Sequence, residues 1–67
     1  MFDEYEIVQL TTDLPEENLK TGTIGTVLII LDLVTPIQNY IVEFVDGTGN
    51  SLGTPIVPED ILERVVH

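Results

Sequence analysis

The chain has 67 residues, no cysteine, and twelve acidic side chains against two basic ones, for a net charge of −10. A chain this short forms a single domain over residues 1–67, and such a domain buries only about 60% of the surface its unfolded form exposes. Without disulfides or thiolate metal sites, its 43% apolar residues must hold the fold. Lys20 and Arg64 are too few and too far apart in sequence to make the basic surface that nucleic acid or an anionic membrane requires. Neither is expected as a partner, whereas a cation or a basic protein would be drawn in. The same acidic excess also serves to keep a small apolar chain in solution.

Met1-Phe2-Asp3-Glu4 has neither a basic nor an apolar leader character, so no secretory signal is expected. The longest apolar run, Val27 to Leu31, has five residues, against roughly 20 for a membrane-spanning helix. A soluble, cytoplasmic protein is the resulting expectation.

Glu4 to Leu10 reads as a first strand, with Val8 and Leu10 on its core face. Thr11 to Thr21 does not alternate. It carries Asp13, Pro15 and Asn18 between Leu14 and Leu19, a long loop whose leucines dip back onto the core, with room for one helical turn at Pro15–Asn18. Gly22 and Gly25 then open the longest run of strand formers: a turn at the first and a sharp bend at the second would let a short sheet curl. A loop around Asp32 to Asn39 holds Pro36, which a central strand tolerates poorly. Tyr40, Val42 and Phe44 share one face of a third strand by period-two alternation, with Ile41, Glu43 and Val45 on the other. Asp46-Gly47-Thr48-Gly49-Asn50 is a hairpin turn, and Ser51 to Val57 a fourth strand weakened by Gly53 and Pro55. Pro58 to Ile61 suits one 3-10 or helical turn before a closing strand, Leu62 to Val66. The expected fold is therefore all-β: a small five-stranded SH3-like barrel with a long first loop and one short helical turn before its last strand. An OB barrel needs more residues and a helix between its third and fourth strands, for which no segment is suited.

The blocks Tyr5…Val8-Gln9-Leu10, Asp13-Leu14-Pro15-Glu16, Leu19-Lys20-Thr21-Gly22, Gly25-Thr26-Val27 and Tyr40-Ile41-Val42-Glu43-Phe44-Val45-Asp46 together resemble a family of small bacterial proteins, frequent in cyanobacteria. The family is a domain of unknown function, DUF4926-like. The resemblance implies an SH3-like fold and brings no established activity or binding residues. Such proteins often accompany the product of a neighbouring gene, which suggests an antitoxin or immunity role. Ile41, where the family pattern usually has a polar residue, and Ser51 to Val57 depart from it.

Catalysis is not expected. The only histidine is His67 and cysteine is absent, so a nucleophile, base and orienting group cannot be assembled. No metal or other cofactor is expected either. Asp46 to Ser51 lacks the third and sixth residues of a calcium loop, and its twelfth position is Val57. Gly22-Thr23-Ile24-Gly25 precedes a strand rather than the helix or lysine a phosphate loop uses. The feature with functional content is apolar side chains on both faces of the central hairpin. Antiparallel pairing about Thr35 puts Leu28, Ile30, Tyr40 and Val42 inside, and Val27, Ile29 and Ile41 outside, with a bulge at Gly25 able to shift this by one residue.

An outward patch of Val27, Ile29 and Ile41, ringed by Glu43 and by Asp13, Glu16 and Glu17 of the first loop, is thus the expected partner-binding surface. Its occupant is a basic protein that this domain inhibits, or alternatively other copies of itself in a structural or assembly role. Repulsion among the carboxylates generates a test that does not depend on the partner. Raising NaCl to roughly 0.15 M, where the Debye length is about 8 Å, should raise the Tm; a flat or falling Tm would show the charges already compensated.

Overall fold

Alternation is strongest at Asn39–Val45, and that segment pairs with three other strands. The computed structural model describes residues 1–31 and 36–65. Its strands are β1 (Ile7–Leu10), β2 (Ile24–Leu31), β3 (Asn39–Val45), β4 (Ser51–Gly53), β5 (Ile56–Pro58) and β6 (Leu62–Arg64). Single 3-10 turns at Pro15–Glu17 and Glu59–Ile61 are the only helical pieces among the described residues. The all-β expectation holds. Every pairing is antiparallel, in the order β4-β3-β2-β1-β6, with β5 also on β3.

One expectation about this architecture is corrected. Among the described residues there are six strands rather than five, because the expected fourth strand breaks into β4 and β5. Gly53 takes φ +128° there and Pro55 cannot donate to a ladder. Both pieces still run along β3, β4 at Phe44 and Val45 and β5 at Asn39 to Ile41. The sheet is also open: β6 and the β4/β5 strands end it on opposite sides and do not pair. The last strand stops at Arg64, and of the loop expected around Asp32 to Asn39 residues 32–35 lie outside the described residues.

The core is one cluster on the inner face. Val8 and Leu10 of β1, Val27 of β2, Tyr40, Val42 and Phe44 of β3, Val57 of β5 and Leu62 of β6 meet Phe2 and Leu19 there. Full burial of each aliphatic side chain contributes about 1.5–3 kcal/mol. Leu19 is buried and Leu14 packs against the cluster, joined by reciprocal backbone hydrogen bonds of 2.8 and 3.0 Å. The first loop therefore caps the core through its two leucines, as its sequence suggests.

Val27 is the residue whose expected orientation is reversed. It is fully buried opposite Val42, and the β2–β3 register shifts between Val27 and Ile29, leaving Leu28 as an extra residue. A bulge of one residue inverts the parity of everything after it. Ile29 therefore faces outward although it lies two residues from an inward valine. Leu28 is only half-buried, and Ile30, opposite Tyr40, stays exposed because β1 pairs no further along β2 than Thr26.

The bend expected at Gly25 is likewise absent, since Gly25 is in register with both Val8 and Phe44. Its missing side chain serves packing. A Cβ there would lie 2.6 Å from Val42 Cγ1 and 2.8 Å from Phe44 Cδ1, closer than carbon atoms approach, and both neighbours are fully buried. Gly22, at φ +87°, does make the expected turn.

The N-terminal residues are tied across the sheet. Tyr40 Oη accepts the Phe2 amide at 3.0 Å and donates to Glu59 Oε1 at 2.8 Å, which also meets the Met1 amine at 3.0 Å. Burial raises the Tyr40 phenol above its ordinary value, and the Glu59 carboxylate adds to the rise. Arg64 lies over the Phe2 ring at 5.3 Å, donates to Met1 O at 2.9 Å and pairs with Glu6.

In the β3–β4 hairpin, Asp46 accepts the Thr48 hydroxyl and amide at 2.7 and 2.8 Å and the Asn50 amide at 3.0 Å. These bonds, the Thr48 hydroxyl foremost, hold its carboxyl below the ordinary value of 3.8.

Two outcomes follow from this packing. Gly25→Ala should destabilise by about 1–3 kcal/mol through overpacking, a Tm drop of at least about 5 °C for so small a domain. Val42→Ala in the same chain should recover part of the loss, and an unchanged Tm for Gly25→Ala would refute the close packing. Because the Asp46 pKa is depressed in the folded state, its contribution is present above the unfolded pKa and is lost as pH falls through the folded one. Asp46→Asn, isosteric with the protonated acid, should thus lower the Tm at pH 7 and converge with the unmodified chain in acid. A pH-independent difference would deny the carboxylate this role.

Candidate protein interface

Residues facing each other across an antiparallel pair lie on the same side of the sheet. On β2, β3 and β5 this aligns Ile29 with Ile41, and Ile41 with Ile56. The three form a row across the outer face. Ile29 is 49% exposed, Ile56 62%, and Ile41 between them is half-buried. β-branched side chains suit a pleated surface, but nothing in the described fold covers this row, and its members spend stacking contacts only on one another.

Beside that row on the same face lies a polar step, Thr26 opposite Glu43, flanked in turn by Ile7 opposite Thr26. Beyond it, Ile24 faces Val45 and Gln9. Gln9 Nε2 donates to Glu63 Oε1 at 2.6 Å, closing the apolar region on the β6 side. The outer face therefore carries a carboxylate between two apolar stretches.

Of the expected patch, Ile29 and Ile41 are brought together, and Val27 is removed to the core. Ile56 takes the third place. Its sequence signal was the inward Val57 beside it, which obliges its neighbour to face out; Pro55 obscured that reading.

The acidic rim also divides. Glu43 adjoins the isoleucine row, whereas Asp13, Glu16 and Glu17 are exposed on the first loop, which Leu14 and Leu19 hold to the core side. Asp13 has a structural partner there: it accepts the Thr21 amide and hydroxyl, both at 2.8 Å, and the amide above all holds its carboxyl below the usual range.

An open cleft of about 380 Å³ lies between Thr21–Ile24 and the β3–β4 hairpin, with Leu52 on its rim. Its polar groups already have partners. The Thr23 hydroxyl donates to Lys20 O at 2.6 Å, Thr21 to Asp13, and Asp46 serves its own turn. Among the described residues, no three histidine, aspartate or glutamate side chains converge as metal ligands would, and no helix is long and apolar enough to cross a membrane.

No curated protein matches the chain, and no solved structure does. Residues 4–64 match the model of the family described as Domain of unknown function (DUF4926). That match takes in β1 through β6 with both faces of the sheet, and the chain belongs to the DUF4926 family.

Proposed function

We propose that this domain is a non-enzymatic protein-binding module that captures a basic protein through the outer face of β2, β3 and β5. The observation that carries the reading is the uncovered row Ile29–Ile41–Ile56 on a domain of net charge −10. Opposite long-range fields bring the partner in, and the apolar row then holds it. An antitoxin or immunity-type inhibitor that masks a basic surface fits this chemistry. Curling of the sheet into an SH3-like barrel is part of the same reading. It is supported by the strand order, by the bulge at Leu28 and by the 3-10 turn between β5 and β6.

Catalysis has no part in this reading: cysteine is absent and the only histidine is the last residue, His67, so no nucleophile with its base and orienting group is expected. Self-assembly through the same row is the competing occupant. It would bring two domains, each of net charge −10, together, a repulsion that a basic partner turns into attraction.

Ile56→Lys separates these occupants, since lysine is tolerated on an exposed edge strand and opposes apolar docking. In size exclusion the unmodified domain should run as a monomer. At low salt it should retain a basic protein from its native lysate that Ile56→Lys, equally folded, does not retain. With that protein purified, added salt should slow association more than it speeds dissociation. Equal retention by Ile56→Lys, a salt-indifferent association rate, or a dimer dissolved by the substitution would overturn the reading.

A further inference from the structure

The carboxylates among the described residues fall into two groups with one exception. Glu6, Asp13, Asp46, Glu59 and Glu63 each accept a hydrogen bond or an ion pair within the fold. Asp3, Glu4, Glu16, Glu17 and Asp60 are exposed to water. Glu43 alone among the described residues is half-buried and holds neither a hydrogen bond nor a cation. It stands on β3 two residues from Ile41 and two from Val45, opposite Thr26, where the β4/β5 strand is broken at Thr54-Pro55 and leaves that side of β3 without a ladder partner. The two side-chain cations are elsewhere: Arg64 is committed to Glu6 and Met1, and Lys20 belongs to the first loop.

A carboxylate that stands among apolar side chains with no partner in the fold has its attraction unspent, so a cation that reaches it there is less screened by water than at a fully exposed glutamate. Its neighbours select the kind of cation. Ile29, Ile41 and Ile56 lie on one side, and Ile24 and Val45 on the other. A guanidinium is planar, weakly hydrated and able to engage both carboxylate oxygens, which suits an apolar surround better than the compact, strongly hydrated ammonium of lysine.

We propose that Glu43 is the specificity-determining residue of this face and takes one arginine of the partner, carried between two apolar side chains that seat on the isoleucine row and on Ile24 and Val45. This rests on the docking face proposed above and names what that face recognises. An extended segment that matches Ile41, Glu43 and Val45, each two residues apart, places its own side chains at every second position, so the partner segment is apolar–x–arginine–x–apolar and its other basic residues act through the long-range field alone.

The probe is the peptide acetyl-Gly-Val-Ser-Arg-Ser-Val-Gly-amide, whose valines share a face with the arginine when extended, titrated into the full chain and followed by backbone amide shifts. Its citrulline counterpart keeps the shape and removes the charge, and a lysine counterpart keeps the charge and removes the fork. The arginine peptide should shift Thr26, Ile29, Ile41, Glu43 and Ile56 together and bind at least tenfold more tightly than the citrulline peptide and severalfold more tightly than the lysine one. Glu43→Gln should erase the arginine–citrulline difference, while Glu4→Gln, which removes the same charge elsewhere, should leave it. Shifts scattered over all the carboxylates, equal binding of arginine and citrulline, or an unaltered preference in Glu43→Gln would overturn the inference. Failure here is distinguishable from failure of the docking face. If Ile56→Lys abolishes capture of the basic partner and Glu43→Gln does not, the face stands and Glu43 is not its selector.

Discussion

The close contact of β3 with Gly25 is the constraint on which the rest of the sheet depends. With hydrogen alone at that position, Val42 and Phe44 settle directly over β2, and Val27 can follow inward opposite Val42. These side chains are fully buried and touch the same cluster as Val8, Leu10 and Val57. The bulge at Leu28 comes immediately after, where β1 no longer flanks β2. From there the strand's parity is inverted, and Ile29, which regular alternation from Val27 would have sent to the core, is presented outside.

A second tie keeps the inner face closed. Tyr40 is the one large core residue with a polar tip, and its hydroxyl is satisfied on both sides, by the Phe2 amide and by Glu59. That arrangement seats the Phe2 ring against Tyr40, 5.6 Å between centroids, and brings Arg64 over its other side. A buried hydroxyl without partners would cost about 1–3 kcal/mol, so the segment before β1 is part of the core's polar accounting. Arg64, one of only two side-chain cations, is consumed in this tie, and the remaining surface is left almost uniformly acidic.

The division of labour between the faces follows. Carboxylates of the loops are exposed or staple their own turns, as Asp13 and Asp46 do. The outer face of β2, β3 and β5 instead combines an uncovered apolar row with a half-buried, unpaired glutamate. Long-range charge and short-range apolar contact act at different separations and are not in competition, so a small acidic domain can use the first for encounter and the second for residence.

Much of the fold was legible because it rests on local chemistry. The alternation of Tyr40, Val42 and Phe44, the Asp46–Asn50 turn, the return of Leu14 and Leu19 to the core and the 3-10 turn at Glu59–Ile61 all follow from short-range periodicity and turn residues. The candidate face was legible only in part. Ile29, Ile41 and Glu43 were visible from period-two reasoning, whereas Val27 was misplaced because a bulge leaves no mark in an unbroken run of apolar residues. Ile56 was hidden by the proline before it. By itself the sequence determined the all-β class, the acidic field and the elements that alternate or turn, since each depends on neighbours along the chain. Only the tertiary structure decided which way β2 faces beyond Leu28, that β4 and β5 share one edge of β3, and that Glu43 stands unpaired among isoleucines. These depend on the register between strands, which is set by side chains far apart in sequence.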